Sequence, residues 1–258
     1  MLRATLGLIV ILCGTVVATA GEKPRAFLEL FTSQGCASCP AADALIGEFA
    51  EEEGVYAVSM PVKLWDFLGW ADTLATDMLT KRQIAYSVAR GDREVFTPQL
   101  MVNGERSVLG NDPDAIRTAI RETERRLTLP IDLSINNNVL TIDVGEDRRA
   151  AADKATLWLI VTDEEIRVPV REGENRGRKL TYHNVVREMR PIGMWKGEPM
   201  TFDLPLNDID RDASAGCFVI AQVETFKGPG PIIGAAKVDH LFPARAAGVQ
   251  RSTVASGR

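Results

Sequence analysis

Cys36 and Cys39 stand three residues apart where an apolar stretch gives way to a helix, and no other feature limits the fold as tightly. The segment LELFTSQGCASCPAADALIGEFA (28–50) follows a short strand pattern at 25–31 with a polar turn containing Gly35. A helix comes next, in which Ala44, Leu45, Ile46, Phe49 and Ala50 recur at helical spacing. Two cysteines at i and i+3 on a first helical turn lie on one side, close enough to bridge. The unpaired N–H groups and positive dipole end of the helix stabilise a thiolate there, and thiolate is the attacking species. Cys36 is therefore expected to be the exposed nucleophile and Cys39 the resolving thiol, buried a turn inside. Pro40 suits the first turn, where its missing N–H costs little.

Other roles for the pair fit less well. A structural zinc site needs a second CxxC or nearby histidines, whereas Cys217, His183 and His240 all fall in the other half of the chain. A staple that closes four residues removes little chain entropy. A copper-handling pair has sparse soft or imidazole ligands around it. Thiol–disulfide exchange is the leading reading, with no metal and no organic cofactor required.

The first half alternates strand and helix patterns. VYAVSM (55–60) reads as a second buried strand, and DMLTKRQIAYSVAR (77–90) as a helix with Met78, Leu79, Ile84 and Val88 inward. Asn103–Gly104 marks a hairpin, and Asp112–Pro113 opens an amphipathic helix. The order β-α-β-α-β-β-α, with CxxC opening the first helix, is the thioredoxin arrangement: a mixed four-stranded sheet with helices on both faces. The second half reads instead as short strands between Asn, Gly, Pro and Asp clusters, with Asn136–Asn138 turning the first hairpin. That texture predicts an all-β, sandwich-like domain. The expected division is a signal peptide at 1–20, a thioredoxin-like domain at 21–128, a β-sandwich-like domain at 129–242 and a disordered tail at 243–258.

Residues 1–20 show one cation (Arg3), an apolar run from Leu6 to Val17 and a closing Ala18–Thr19–Ala20. This is the order of a secretory signal peptide, too short in its apolar core to span a bilayer. Cys13 follows Leu12, where a lipid-anchored precursor would need a small residue. Export, to the periplasm or beyond, exposes thiols to oxidation, so the close pair should rest as a disulfide. With a net charge of −5 and no basic tract, nucleic acid and anionic membrane surfaces are not expected partners. No stable membrane insertion is expected once the signal is cleaved.

Several side chains are candidates around the cysteines. In thioredoxin-like proteins a cis-proline precedes the third strand and leaves the preceding backbone to pair with a substrate strand. Thr97–Pro98 stands where that loop belongs, although a trans proline at the start of a strand reads the same way. Glu29 is a lone carboxylate inside FLELF: under the disulfide it would shuttle the resolving thiol's proton, and in an alternating strand it would face solvent. Lys63 either adds positive potential near Cys36 or lies on the surface. Trp65 and Trp70, in WDFLGW, either wall a substrate groove or pack in the core. REGENRGRKLTYHNVVR (171–187) is dense in both signs of charge: an anion site, a docking surface or a solvated loop. His183 reads as a packed strand residue and Cys217 as a small buried hydrophobe.

ELFTSQGCASCPAADALI, WDFLGW, RQIAYS, TPQLMVNG and GENRGRKLTYHNVVR followed by IGMWKG together resemble a secreted bacterial thioredoxin-like family, domain of unknown function 1223. The resemblance covers nearly the whole chain after the signal segment. It implies a thioredoxin-like N-terminal domain with a β-rich C-terminal extension, and it supplies no activity. Relatives often carry His-Val-Asp before the Trp-Asp of this loop, where this chain reads Pro61–Val62–Lys63. A proton-transfer role for such a histidine therefore does not carry over.

The expectation is an exported thiol–disulfide oxidoreductase-like protein whose partners are protein or small-molecule thiols and disulfides. The alternative is a non-enzymatic envelope binding module with an inert Cys36–Cys39 disulfide. Exchange predicts an accessible Cys36, and the binding module predicts two buried sulfurs.

Overall fold

The structure is a computed structural model that describes residues 24–148, 154–209, 216–239 and 241. Residues 1–20, expected as a signal peptide, together with Cys13, His240 and the tail from 243, fall outside these residues.

Strand β1 (Ala26–Thr32) is buried along its whole length, parallel to β2 (Val55–Pro61) and antiparallel to β3 (Gln99–Val102). β3 turns into β4 (Arg106–Leu109) through Asn103 and Gly104, with φ of 51° and 68°. Both angles belong to the tight hairpin that an Asn-Gly pair favours. Helices α1 (Cys39–Ala50) and α3 (Pro113–Thr123) cover one face of this sheet, and α2 (Asp77–Arg90) covers the other. The alternation of β1 follows that division. Leu28 and Leu30 pack with Ala42, Ile46 and Ile120, while Phe27 and Phe31 pack with Leu79 and Tyr86.

The inner face of α2 corrects the sequence expectation. Ile84 and Val88 point outward, each 48% exposed, and Leu79, Arg82, Gln83, Tyr86 and Ser87 point inward. The reason is that the inward polar groups have partners. Arg82 Nε donates to Glu29 Oε1 at 2.6 Å, Tyr86 donates its hydroxyl proton to Glu29 Oε2 at 2.6 Å, and Gln83 Nε2 donates to Gln99 Oε1 at 2.9 Å. Apolar periodicity cannot detect a polar face whose partners lie elsewhere in the chain.

In the second half, β5 (Ile131–Asn136), β6 (Val139–Val144) and β9 (Met200–Pro205) form a three-stranded antiparallel sheet in the order β5-β6-β9. Strands β7 (Ala155–Pro169), β8 (Lys179–Trp195), β10 (Gly216–Thr225) and β11 (Gly228–Asp239) join the first sheet instead. The result is one eight-stranded sheet, β11-β10-β7-β8-β2-β1-β3-β4. The seam is β2 against β8, parallel at Ser59 and Val185. A four-stranded sheet separate from a β-sandwich was expected. β2 is buried on both faces, and leaving its backbone edge bare would invite pairing with another chain, so β8 covers it. The apolar stretches at 155–162 and 166–169 form the single strand β7, because the polar Asp163–Glu165 between them stays in the ladder with β8.

The small sheet packs on the C-terminal strands of the large one. Leu140, Ile142 and Val144 meet Leu157, Leu159, Val161, Cys217 and Val219 in one core. On the opposite face Phe218, Ile220 and Ile232 join Phe27, Val58 and Tyr86 beneath α2, so that helix spans both halves of the sheet. Cys217 is a free, buried thiol, and burial pushes its pKa up to about 12. Among the described residues, no helix is long and apolar enough to cross a membrane.

Candidate redox site

Cys36 and Cys39 are joined as a disulfide at the head of α1, with Cα atoms 5.4 Å apart. A turn leads in: Cys36 N donates to Ser33 O at 3.1 Å and Cys39 N to Cys36 O at 3.3 Å. The Ser38 hydroxyl lies 3.5 Å from Cys36 Sγ, and Pro40 occupies the first helical turn. Cys39 is fully buried and Cys36 is only 5% exposed. This corrects the expected exposed nucleophile. Two loops pack on the turn that carries Cys36, one of them from the far half of the chain.

The nearer loop is the 3-10 helix Lys63–Leu68 and the residues after it. Trp65 lies against Gly35, where an added Cβ would come within 3.0 Å of Trp65 Cβ. Its indole Nε1 donates to Thr97 Oγ1 at 2.7 Å. Trp70 Nε1 donates to Gln34 Oε1 at 2.8 Å, so that ring braces the turn before the cysteines. Both tryptophans are half-buried, while Phe67 stands 76% exposed beside Trp65 with ring centroids 6.1 Å apart. Lys63 is exposed and paired with Asp77 Oδ1 at 2.9 Å, at the start of α2.

The Thr97–Pro98 peptide bond is cis. Pro98 is buried beside α1. A Cβ placed on Gly110 would meet both Pro98 Cβ and Ala42 Cβ, at 3.2 and 3.3 Å, and Gly110 N donates to Pro98 O at 3.0 Å. Trp65 therefore links Thr97 to the Gly35–Cys36 turn, with Pro98 packed next to it beside α1.

The farther loop joins β7 to β8. Positive φ at Gly173 and Gly177 (73° and 83°) folds it back on itself, a conformation that favours glycine. Asn175 between them is fully buried, and its Nδ2 donates to Gln34 O at 3.0 Å and Cys36 O at 2.8 Å. Arg178 holds the amide oxygen at 3.0 Å. The charged motif thus docks the two halves together through two amides, Asn175 and Asn184, whose Nδ2 donates to Ala57 O at 2.9 Å. Sequence reasoning singled out the charges around Asn175 and passed over it. The signal available was an amide framed by glycines at i−2 and i+2.

Two buried carboxylates were also missed. Asp72 caps the cysteine turn, its Oδ2 accepting from Gln34 N at 2.8 Å and its Oδ1 from Leu74 N and Ala75 N at 2.8 and 3.1 Å. Burial pushes its carboxyl up to about 6 despite those bonds. Asp43 lies on the buried face of α1 one turn beyond Cys39, and Thr32 Oγ1 donates to its Oδ1 at 2.6 Å. Burial raises Asp43 well above the ordinary carboxylate range, the Thr32 bond pulls the other way, and Asp72 adds to the rise. The signal for Asp43 was a lone acid among apolar residues four places after a cysteine.

Glu29, expected either beneath the disulfide or facing solvent, takes neither position. It is fully buried, so it does not face solvent, but it belongs with Phe27 and Phe31 on the α2 face of the sheet. Its carboxylate is committed to Arg82 and Tyr86, and Gln222 of β10 completes that network through Arg82 and the Tyr86 hydroxyl. His183 packs its ring against Gly47 of α1. Among the described residues no group of three or more His, Cys, Asp or Glu is placed to hold a metal ion.

A CxxC disulfide at a helix head, beside a cis-proline loop, makes this a thiol-oxidoreductase-like protein. Residues 27–222 match the family described as "Protein of unknown function (DUF1223)", and the chain belongs to that family. It is 31% identical over 96 residues to a protein of Archaeoglobus fulgidus named "Probable Thioredoxin", an alignment covering 37% of this chain and 86% of that one. A structural-genomics crystal structure of a protein from Agrobacterium tumefaciens is 31% identical, with a TM-score of 0.76 over 90% of this chain and all of that one. HBP35 of Porphyromonas gingivalis, 14% identical, shares the fold with a TM-score of 0.59 over 92% of this chain and 81% of its own.

Proposed function

We propose that the chain is an exported thiol–disulfide oxidoreductase built on a thioredoxin-like frame. The observation that carries this reading is the placement of the Cys36–Cys39 disulfide at the N-terminus of α1, beside cis-Pro98 and Thr97. That end of the helix stabilises a Cys36 thiolate, and the Ser38 hydroxyl is near enough to donate to it. The thiolate attacks a substrate disulfide, and Cys39 resolves the mixed disulfide; the oxidising direction reverses the steps. Substrates are protein or small-molecule thiols and disulfides. The exposed Phe67 and half-buried Trp65 beside Cys36 give an apolar wall for them. Export rests on the signal-like order of residues 1–20.

One observation favours the second reading, a binding module with an inert disulfide: Cys36 is nearly as buried as Cys39. Equilibrating the mature protein in graded thiol buffers and trapping free thiols separates the two. A potential between about −120 and −270 mV, reached quickly, is the expected result. A pair below about −300 mV that exchanges slowly would make the binding module the correct account.

A further inference from the structure

With Glu29 on the far face of the sheet, the buried carboxylates on the disulfide's side are Asp72, whose two oxygens are taken by backbone N–H groups, and Asp43, which shares α1 with Cys39. Asp43 follows Cys39 by four residues on α1, so both side chains leave the same face of the helix, with Cβ atoms about 5–6 Å apart. Both are buried. Asp43 Oδ1 is engaged by Thr32 at the end of β1, but Oδ2 is buried without a partner. The Tyr182 hydroxyl, from β8 in the other half, is likewise buried without a partner, and it lies within electrostatic reach of Asp43. Unmatched buried polar atoms are costly and uncommon in folded chains. One of them, Asp43 Oδ2, lies a helical turn beyond Cys39 on the same face of α1, with the other in its reach, and that placement points to chemistry at the disulfide. The other titratable groups around Asp43 are Asp72, from the segment before α2, and His183, whose ring meets α1 one turn further on at Gly47.

We infer that Asp43 is the proton carrier for Cys39, with Tyr182 completing its pocket from the C-terminal half. This rests on the exchange reading above. When an incoming thiolate attacks Cys36 Sγ, a new S–S bond forms and the Cys36–Cys39 bond breaks. Cys39 leaves with the electron pair and takes the proton of Asp43 Oδ2, which becomes a carboxylate. A second thiolate then releases Cys36, so an external dithiol is oxidised as the protein's disulfide is reduced by two electrons. In reverse, the Asp43 carboxylate takes the Cys39 thiol proton as that sulfur attacks Cys36 of a mixed disulfide and expels the substrate thiolate. Burial favours the neutral acid and so keeps a proton available in the disulfide form.

The test is stopped-flow reduction by dithiothreitol from about pH 5 to pH 9, with rates expressed per dithiothreitol thiolate. In the wild type this rate should fall as Asp43 ionises. Asp43→Asn, which keeps an acceptor for Thr32, should flatten the profile and slow the low-pH rate by about tenfold or more. Tyr182→Phe should move the inflection, and an unmoved inflection removes Tyr182 from the account. A second measurement needs no variant: carbon-13 NMR of the Asp43 carboxyl in the oxidised and reduced wild type. Its titration midpoint should differ between the two states because the Cys39 thiol appears beside it. A wild type that dithiothreitol does not reduce sinks the exchange reading itself. A wild type that exchanges, with an Asp43→Asn profile superimposable on its own or an Asp43 midpoint indifferent to redox state, overturns the role of Asp43 and leaves exchange standing.

Discussion

Asn175, on the loop between β7 and β8, donates its side-chain amide to the carbonyl oxygen of Cys36 at 2.8 Å, across 139 residues of sequence. The same amide reaches Gln34 O, so one residue of the C-terminal half closes the turn that carries Cys36.

Asn175→Ala should therefore loosen that turn. Two buried carbonyl oxygens lose their donor, a destabilisation of about 2–3 kcal/mol. The disulfide, no longer covered, should be reduced by dithiothreitol severalfold faster. Denaturant melts combined with thiol-trapping rates check both halves, and unchanged rates would mean that the loop does not limit access to Cys36.

Glu29 and Arg82 form a buried pair with side chains 0% and 8% exposed. Glu29→Ala leaves a guanidinium buried without its anion, which costs about 3–5 kcal/mol. Because the pair lies on the α2 face, the variant should keep the wild-type reduction potential and the wild-type pH profile of exchange. A shifted profile would restore Glu29 to the redox chemistry.

Gly110 separates the Pro98 loop from α1 and Leu30. An alanine methyl there would come within 2.6 Å of Leu30 Cδ1 and 3.2 Å of Pro98 Cβ. Gly110→Ala should destabilise by about 1–3 kcal/mol through overpacking. It should also slow reaction with a peptide disulfide more than with dithiothreitol, since the displaced surface is the one beside Thr97. Paired rate measurements with the two substrates check this.

Asp72 sets a pH dependence. Its folded pKa of about 6 lies above the ordinary 3.8, so between those values the folded chain holds more proton than the unfolded chain. Stability from this group is present below about pH 4 and is lost as pH rises through 6, by about 3 kcal/mol. Urea melts of the wild type and Asp72→Asn across that window should show the difference between them changing by this order, with the wild type losing ground as pH rises.

The element order of the first half was legible because its punctuation is local: Pro40 and Pro113 at helix starts, Asn103–Gly104 in a hairpin, an apolar β1 before CxxC. The eight-stranded sheet was not, because one bridge between Ser59 and Val185 leaves no mark on either segment's pattern. The same limit hid the inward face of α2, where Arg82 and Tyr86 are buried only because Glu29 and Gln222 meet them there. Cys36 and Cys39 were legible as a pair, but not the bond from Asn175 to Cys36 O, because the glycines that frame this amide mark a tight loop without saying which carbonyl it reaches.

The seam between β2 and β8 also sets a timetable. A growing chain completes β2 well over a hundred residues before Val185 exists to cover its edge. At ordinary synthesis rates that delay is on the order of 10 s. During it the Cys36–Cys39 turn is made but Asn175 is not, so nothing from the second half can yet close over the two cysteines.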